Sequence, residues 1–345
     1  MTQGALYYDP LFLAHDTLDH IESSARLRTC LELLESSGAG RRLARPECRD
    51  AMEEELLRVH NARHIERMRY VGANGPVLLL PDTVANIGTY AAAVRAAGAC
   101  IGAVEAVVRR DYAWAYCLTR PPGHHAIVSM PMGFCFFNSV AVAAAHARAA
   151  LGVDRLAIVD IDIHHGNGTQ DAFYSDASVL YISTHQYPYY PGTGHWRETG
   201  AGAGAGATLN IPLPAGCGDP EYAYVFDELV EPALKRFRPE LILVSAGYDA
   251  HHADPVDGAE MRLSCAGYAS LVRRLRDAAA EVCGGRLVLA LEGGYDLTAL
   301  SWSVRNSIEV LLGEQVAPDP VGPAPPRTAP DVTPLVTAIR ELHGL

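Results

Sequence analysis

Three adjacent pairs account for six of the fourteen histidines in this chain of 345 residues: His124-His125, His164-His165 and His251-His252. Imidazole is the commonest metal-ligand side chain, and its ordinary pKa lies close to neutral pH. Each pair closely follows an apolar run and is surrounded by Asp, Gly and Pro residues. This pattern predicts that the pairs meet in one pocket, where a metal ion and acid–base groups act together.

The second pair has two carboxylates directly before it, in the sequence DIDIHHGNG. Asp160, Asp162 and His164 are spaced by two residues, so an extended backbone directs all three to the same side. Two carboxylates that converge with an imidazole need a cation to relieve their repulsion. The alternative reading is a strand end whose polar groups are satisfied by hydrogen bonds alone.

Three further motifs follow other apolar runs. RPPGHH (120–125) presents two histidines on a turn that its prolines stiffen. YDAHHADP (248–255) adds further carboxylates and, as an open alternative, imidazole ligands. EGGY (292–295) combines glycines, which let the backbone pass close to a ligand, with a tyrosine hydroxyl that can donate to a developing oxyanion.

These motifs need a scaffold, and apolar runs alternate with Ala/Leu/Arg-rich segments along the chain. The predicted strands are 113–119, 155–161, 178–184, 209–213, 241–247 and 286–294. The predicted helices are 86–109, 138–151, 220–237, 266–283 and 297–313. Strands that are apolar on both faces and separated by helices indicate a mostly parallel sheet covered by helices on both faces. In such α/β sheets, ligands bind at the carboxyl ends of the strands, where the histidine pairs fall.

No linker interrupts this alternation, so we expect one domain over residues 1–316. GAGAGAGA (200–207) is predicted to be a surface loop whose glycines permit a positive φ. Residues 317–345 comprise a Pro-rich connector (317–331) and a short C-terminal helix that packs on the domain.

Composition narrows the class of protein. A formal charge of −12 argues against direct contact with nucleic acid and is mildly compatible with cationic substrates. We find no run of about eighteen apolar residues and no signal-peptide profile, so no membrane partner is expected. The eight cysteines lack CxxC spacing and are predicted to be reduced. The expected location is cytoplasmic, and an oligomer is compatible with the sequence.

At these motifs the chain resembles the zinc-dependent histone deacetylase family, which shares an α/β fold with arginases. RPPGHHA, DIDIHHGNGTQ, SAGYDAHHADP and LEGGYDL match family blocks in the family's order, as do HQYPYYPGTG and GFCFFNSVAVAA. The resemblance covers roughly residues 5–313. HHGNGTQ and EGGY look like the class II branch of the family. Bacterial proteins of this superfamily include class II-like deacetylases and acetylpolyamine amidohydrolases. The segment after Asp254-Pro255 is about two residues longer than expected for bacterial class II relatives.

The resemblance assigns roles to individual residues. The metal ligands it implies are Asp162, His164 and Asp254. The catalytic group it implies is His125, His124, Tyr295, Asp160 and Asn167. The substrate-binding residues it implies are Phe134, Tyr190, Gly133, Asp82 and Arg26. Asp160 and Ser183 would hold a structural K⁺ or Na⁺. Neither member of the third histidine pair is placed on the metal, and His165 is given a supporting role.

The expected reaction is metal-dependent amide hydrolysis. A divalent metal polarises the amide carbonyl and lowers the pKa of its bound water. His125 would take the water proton and later protonate the leaving amine, while Tyr295 would stabilise the oxyanion. Zn²⁺ follows from the resemblance, and Fe²⁺ is the alternative, since two carboxylates and one imidazole form a harder ligand set than most catalytic zinc sites.

Asn167 stands where class I relatives usually carry Asp. A carboxylate next to His125 would raise the pKa of the imidazole, whereas a neutral amide does so less. We therefore expect His125 to be neutral, and ready to act as a base, near pH 7.

Several interpretations stay open at this stage. The leading substrate is an acetylated lysine side chain in a protein or peptide, and the alternative is an acetylated polyamine or another small N-acetylamine. A binuclear manganese ureohydrolase would need further bridging aspartates and has no use for RPPGHH or EGGY. An acyl-lysine binding module would be expected to lack Tyr295 or a metal ligand. Phe134 could be an ordinary core aromatic residue, and Arg26 could form a surface ion pair.

Overall fold

A sheet of seven parallel strands runs through the centre of the computed structural model, which describes residues 4–80 and 82–345. In chain order its strands are β1 (Ala5–Tyr7), β4 (Trp114–Cys117), β5 (Leu156–Asp160), β6 (Val179–Gln186), β7 (Thr208–Leu213), β8 (Ile242–Ala246) and β9 (Leu287–Leu291). A separate antiparallel hairpin consists of β2 (Val77–Leu80) and β3 (Thr83–Ala85). The spatial order of the large sheet is β1-β4-β9-β8-β5-β6-β7.

Every residue of the seven strands in this sheet is buried. Burial on both faces explains why β4, β5, β8 and β9 are mainly apolar without alternation, whereas β6 and β7 also carry buried polar residues such as Ser183 and Asn210. The predicted single α/β domain with a mostly parallel sheet is confirmed.

Helices cover the sheet on both faces. The α-helices are α1 (Ala25–Ser36), α2 (Glu53–Leu56), α3 (Ala62–Asn74), α4 (Thr89–Val108), α5 (Ser139–Leu151), α6 (Asn167–Phe173), α7 (Asp219–Val225), α8 (Glu231–Phe237), α9 (Cys265–Cys283), α10 (Leu297–Leu311) and α11 (Thr333–His343). A π-helical turn (Phe226–Val230) joins α7 to α8, and 3₁₀ turns lie at Pro10–Ala14, Gly40–Arg42 and Gly202–Gly204. Helix α4 packs on α5, and α10 packs between α1 and α9.

Helix α4 is the one helix among the described residues with the length and hydropathy of a membrane span. It is mostly buried, because it packs against α5 and the strands β4 and β9. This burial accounts for its apolar composition as that of a core helix.

Two helices begin where site loops end, and side chains fix both starting points. Asn138 caps α5 by accepting a hydrogen bond of 2.9 Å from Ala141 N. Asp296 caps α10 by accepting a bond of 2.7 Å from Ala299 N. These caps satisfy backbone donors that would otherwise lack partners, and they fix where the loops before them must end.

The order of the strands places the site motifs together. The chain continues from β5 to β6 on one side, whereas β8 and β9 lie on the other side of β5. The carboxyl ends of β4, β9, β8 and β5 are therefore adjacent at the point where the winding direction changes. Ligands bind at such switch points in open α/β sheets.

The C-terminal residues extend beyond α10. Residues 317–331 are described without helix or strand, and α11 follows them. Val336 and Ile339 on α11 are buried in the core. A domain boundary at residue 316 stays a prediction, although α11 contacts β7 and the π-helical turn.

Candidate active site

Four loops at the carboxyl edge of the sheet supply the polar groups. The loop after β4 carries His124 and His125, and the segment after β5 carries Asp162 and His164. The loop after β8 carries Asp249 and Asp254, and the segment after β9 carries Glu292 and Tyr295. The sequence prediction that these motifs lie at one edge of the sheet agrees with this arrangement.

Asp162, His164 and Asp249 form a group of possible metal ligands at this edge of the sheet. One donor atom from each residue lies within 4.8 Å of the others, and all three residues are buried. Nδ1 of His164 lies 2.9 Å from Asp162 Oδ1 and 3.2 Å from Asp249 Oδ2. Burial lowers the pKa of His164, but its contacts with the two carboxylates outweigh burial and raise that pKa to about 9.

Asp254 lies beside this group, and its carboxylate is held by backbone donors. Its Oδ2 accepts a hydrogen bond of 2.7 Å from Tyr295 N, and its Oδ1 accepts one of 3.1 Å from Val256 N. Burial, followed by the charge of Asp249, raises the pKa of Asp254 to about 7. Its assignment as the third metal ligand stays a prediction, and Asp249 is the carboxylate that lies in one group with Asp162 and His164.

The chemistry of these side chains fits a divalent cation. Burial raises the pKa of Asp160 and of Asp249, and it raises the pKa of Glu292 to about 7. Asp249 Oδ2 is buried, and its contact of 3.2 Å with His164 Nδ1 is not aligned as a hydrogen bond. Several buried carboxylates with raised pKa values around one imidazole are what a bound cation stabilises.

The first histidine pair lies next to the cation-binding group. Nδ1 of His124 lies 3.0 Å from Asp160 Oδ2, and Nδ1 of His125 lies 2.8 Å from Asn167 Oδ1. Because an amide oxygen only accepts, His125 Nδ1 carries the proton and Nε2 is the basic nitrogen. Burial, and then the positive charges of His124 and His164, hold the pKa of His125 well below its usual value.

A cavity of about 340 Å³ opens onto these groups. The lining residues that the sequence predicted are Asp82, His124, His125, Gly133, Phe134, His164, Tyr190 and Tyr295. The lining residues that it did not assign to the site are Pro122, Tyr189, Val256, Asp257 and Gly293. Phe134 therefore lies on the cavity wall and is not an ordinary core residue.

Gly133 has a steric reason to be glycine. Its φ is +53°, and an added Cβ would lie 2.4 Å from His125 Cδ2. The backbone before Phe134 thus passes directly against the imidazole of His125. Any side chain at this position would displace the base or the cavity wall.

Tyr295 and Arg26 form the inner end of the site. Burial holds the pKa of Tyr295 well above its usual value, so the hydroxyl stays protonated. The Arg26 guanidinium lies 4.9 Å from the centroid of the Tyr295 ring, and its Nε donates 2.7 Å to Gly294 O. Arg26 is completely buried and also pairs with Glu22, so a surface ion pair is wrong. Its predicted place near an acetate cavity stays a prediction.

Asp160 and Ser183 are paired residues in the register of β5 and β6. The Ser183 hydroxyl lies 2.9 Å from His185 Nδ1, and Asp160 also accepts a bond of 3.2 Å from the Tyr181 hydroxyl. The strand register brings the two residues together. Their predicted role at a monovalent cation remains untested.

Two contacts at the site carry no clear sequence signal. The Tyr189 ring stacks on His164, with 5.0 Å between centroids and 16° between planes, and its hydroxyl donates to Asp257 O. Glu292 Oε2 accepts hydrogen bonds from Gly123 N at 2.6 Å and from His124 N at 3.2 Å. Glu292 therefore holds the loop of the first histidine pair from beneath. The sequence shows only a doubled tyrosine in YPYY and a single acid in EGGY, and neither pattern predicts which residue is contacted.

Known proteins match this chain closely. A sequence model of the histone deacetylase domain matches residues 20–311. Histone deacetylase 14, chloroplastic, from Arabidopsis thaliana is 40% identical over 319 residues, which cover 88% of this chain and 75% of that protein. The histone deacetylase-like amidohydrolase of Pseudomonas aeruginosa is 40% identical over 301 residues, covering 86% and 78% respectively. The crystal structure of the HDA15 HD domain has a TM-score of 0.88 and 34% identity, covering 99% of this chain and 94% of that one.

The fold and the site together define an amidohydrolase with a parallel α/β sheet. The similarity extends over most of the chain in sequence and in structure. This chain belongs to the histone deacetylase family.

Proposed function

We propose that this protein removes the acetyl group from Nε-acetyl-lysine in proteins or peptides, with Zn²⁺ as its metal and Fe²⁺ as the alternative. The observation that carries the proposal is the set of residues that line one cavity. His125, Tyr295 and His164, the proposed metal ligand, all line it together with the aromatic rings of Phe134 and Tyr190. A base, an oxyanion donor and a cation-binding group around one reacting carbon are the parts that amide hydrolysis needs.

The cavity walls suit a narrow, extended substrate. The rings of Phe134 and Tyr295 pack edge to face with 6.0 Å between centroids, and Tyr190 packs edge to face on His125 at 5.1 Å. Aromatic walls exclude water from an alkyl chain and strengthen the polar contacts at its inner end. The four methylene groups of lysine fit such a passage.

Asp162, His164 and either Asp249 or Asp254 would hold the metal. When bound, a divalent metal supplies Lewis-acid chemistry to this reaction, because it polarises an amide carbonyl and acidifies water. Gly293 N donates 2.9 Å to Asp162 Oδ2 and so orients that carboxylate. The backbone of the EGGY loop thus positions the metal-binding group and Tyr295 together.

The side chains account for the proton transfers. His125 Nε2 takes a proton from the attacking water, whose oxygen bonds to the carbonyl carbon. The Tyr295 hydroxyl donates a hydrogen bond to the carbonyl oxygen as negative charge develops there. The C–N bond then breaks as the His125 imidazolium returns the proton to the leaving amine. The products are acetate and an alkylammonium ion, because the second proton of the water also passes to the amine.

An acetylated polyamine is a second candidate substrate, and one observation favours it. Two carboxylates, Asp82 and Asp257, line the same cavity. Asp257 lies on the segment that is about two residues longer than expected from relatives. Acidic groups there attract a substrate that carries a further ammonium group beyond its acetylated end.

Steady-state rates separate the two candidates. The metal-reconstituted protein would be assayed with an acetyl-lysine peptide, acetylputrescine and acetylspermidine. Our proposal predicts the highest kcat/KM for the peptide. A kcat/KM that is higher for either polyamine would favour the second candidate, and hydrolysis of none of the three would refute both.

A further inference from the structure

Tyr189 joins two parts of the candidate active-site cavity. Its ring lies nearly parallel to the His164 imidazole, with 5.0 Å between centroids and 16° between planes. Its hydroxyl donates a hydrogen bond to the backbone carbonyl of Asp257. Burial raises the pKa of this hydroxyl, so it keeps its proton at neutral pH and can donate. One side chain therefore connects the metal-binding group to the segment that follows Asp254.

The segment that Tyr189 reaches is residues 255–260, which we call the mouth loop. Val256 and Asp257 in this loop line the cavity, and Asp257 is exposed. Ala259 N donates 3.1 Å to Val256 O, which closes a turn around Asp257. The loop contains no helix or strand. Its position, and with it that of Asp257, therefore depends on its contacts with neighbouring elements.

The mouth loop is held at two points by β6 and the residues after it. The Gln186 amide, at the end of β6, donates 2.9 Å to Gly258 O and accepts 2.8 Å from Glu260 N. These two bonds hold the part of the loop that leads away from the cavity. The Tyr189 hydroxyl holds the part that lines the cavity, through the carbonyl of Asp257. An added Cβ at Gly258 would lie 2.9 Å from Tyr189 Cε2, so the ring also packs closely against the loop.

The mouth loop brings negative charge to the cavity. Asp257 and Asp82 line it, and no lysine or arginine is among the described residues that do so. A substrate with a positive charge beside its acetylated amine is attracted by these carboxylates. Because this attraction weakens with distance, it depends on where the loop holds Asp257.

We propose that Tyr189 is a positioning residue for substrate selection: its hydroxyl fixes the mouth loop so that Asp257 is presented to cationic substrates. The preferred substrate then carries a positive charge next to its acetyl-lysine. This inference rests on the proposed function, because it concerns how the same site selects its substrate. It requires no change at the metal-binding group, since a phenylalanine at position 189 would keep the ring beside His164.

The test compares two acetyl-lysine peptides that differ in one flanking residue, an arginine in one and a glutamine in the other. The metal-reconstituted parent protein should have the lower KM for the arginine peptide. Tyr189→Phe should raise that KM by up to about fivefold, the effect expected for an exposed charge pair. Its kcat, and its KM for the glutamine peptide, should stay unchanged. Equal changes in KM for both peptides, or an unchanged KM for the arginine peptide, would overturn the inference.

Asp257→Asn tests whether Tyr189 acts through Asp257. This variant should raise KM for the arginine peptide, and adding Tyr189→Phe to it should have no further effect. Additive increases would show that the two residues act separately and would contradict the proposed role of Tyr189.

Amide hydrogen exchange on the full chain measures the mouth loop directly. Residues 255–260 should exchange faster in Tyr189→Phe than in the parent, and unchanged exchange would overturn the inference. Tyr187→Phe is the matched control, because it removes a hydroxyl from the same segment, where the Tyr187 ring packs on His195 at 6.0 Å between centroids. The control should leave the exchange of the mouth loop and both KM values unchanged.

A second variant approaches the same contact from the mouth loop. Gly258 has φ +78°, and an added Cβ would clash with the Tyr189 ring, so Gly258→Ala should displace the loop. It should raise KM for the arginine peptide, and if Tyr189→Phe does not fold, an unchanged KM in Gly258→Ala overturns the inference instead. A parent that hydrolyses neither peptide would refute the proposed function, and the Kd values of the two peptides would then replace KM in the same comparison. An active parent whose Tyr189→Phe variant keeps the full preference for arginine would refute only the inference.

Discussion

Asn167 holds the proposed base in its reactive form: its Oδ1 lies 2.8 Å from Nδ1 of His125. The bond fixes the proton on Nδ1 and leaves the lone pair on Nε2 of a ring that faces the cavity. A neutral amide at this position adds no negative charge beside the imidazole. The buried His125 therefore keeps a low pKa and is neutral near pH 7.

Asn167→Asp should move the acidic limb of the pH–rate profile. The new carboxylate favours the imidazolium and raises the pKa of His125, by about 1 to 3 units for a close opposite charge. Since the neutral form is the base, the acidic limb of kcat/KM should shift to higher pH. The profile should be measured from pH 5 to 9 with the acetyl-lysine peptide, and an unmoved limb would contradict the assigned role of Asn167.

Stability of the metal-free protein should fall as pH rises toward neutrality. The pKa of Asp254 and that of Glu292 are each raised to about 7 by burial. A carboxyl with a raised pKa in the folded state stabilises the fold fully below its unfolded pKa near 4, and this contribution is lost as pH rises through 7. Urea unfolding of stripped protein between pH 4 and 8 measures the slope.

Asp254→Asn should flatten that slope because it removes one of the two titrating groups. Asp154→Asn, which replaces an exposed carboxylate before β5, is the matched control and should leave the slope unchanged. An equal slope in the Asp254→Asn variant and the parent would show that Asp254 ionises normally. Added Zn²⁺ should restore stability at pH 7.5 in the parent, because it binds the folded chain.

Glu292 should support the loop of the first histidine pair through hydrogen bonds. Glu292→Ala leaves Gly123 N and His124 N without their buried acceptor, at about 1–3 kcal/mol for each group. Glu292→Gln keeps a hydrogen-bond acceptor, so its free energy of unfolding should fall much less than that of Glu292→Ala. Urea unfolding at pH 5, where this carboxyl is neutral like an amide, gives the comparison. Equal losses of unfolding free energy in the two variants would mean that Glu292 does not support the loop through its hydrogen bonds.

The carboxylates that line the cavity should matter most for cationic substrates. Asp82→Asn and Asp257→Asn should each raise KM for acetylspermidine by up to about fivefold. This factor corresponds to the loss of an exposed ion pair that contributes about 1 kcal/mol. KM for a peptide without charge beside its acetyl-lysine should change little. Because salt screens exposed charges, the difference should shrink at high ionic strength. Equal effects on both substrates would contradict an electrostatic role.

The sequence predicted the large strands because their burial leaves a visible mark. Strands β5 and β8 are apolar on both faces, so their runs stand out between polar loops. Strand β1 has three residues and no such contrast, and the hairpin β2–β3 is partly exposed, so neither was predicted. Helix α6 begins at Asn167, inside the HHGNGTQ motif, whose glycines and polar residues do not favour a helix.

The site residues also divide into those that a local sequence pattern indicated and those that only the structure revealed. Motifs at strand ends indicated His125, His164 and Tyr295, because parallel topology brings these ends together. The stacking of Tyr189 on His164 depends on how a distant loop folds back, and no local pattern encodes it. The hydrogen bond from His252 to the carbonyl of Gly322 joins residues seventy positions apart, so it depends on the path of the Pro-rich segment 317–331.

The most direct test of the proposed chemistry is acetate release from an acetyl-lysine peptide before and after metal is returned. Stripped protein should release no acetate, and one equivalent of Zn²⁺ per chain should restore full turnover. Reconstituted Tyr295→Phe should bind the same equivalent but turn over about 100- to 1000-fold more slowly, because the oxyanion donor is gone. Acetate release that survives metal removal, a requirement for two equivalents, or a Tyr295→Phe variant as fast as the parent would contradict the account.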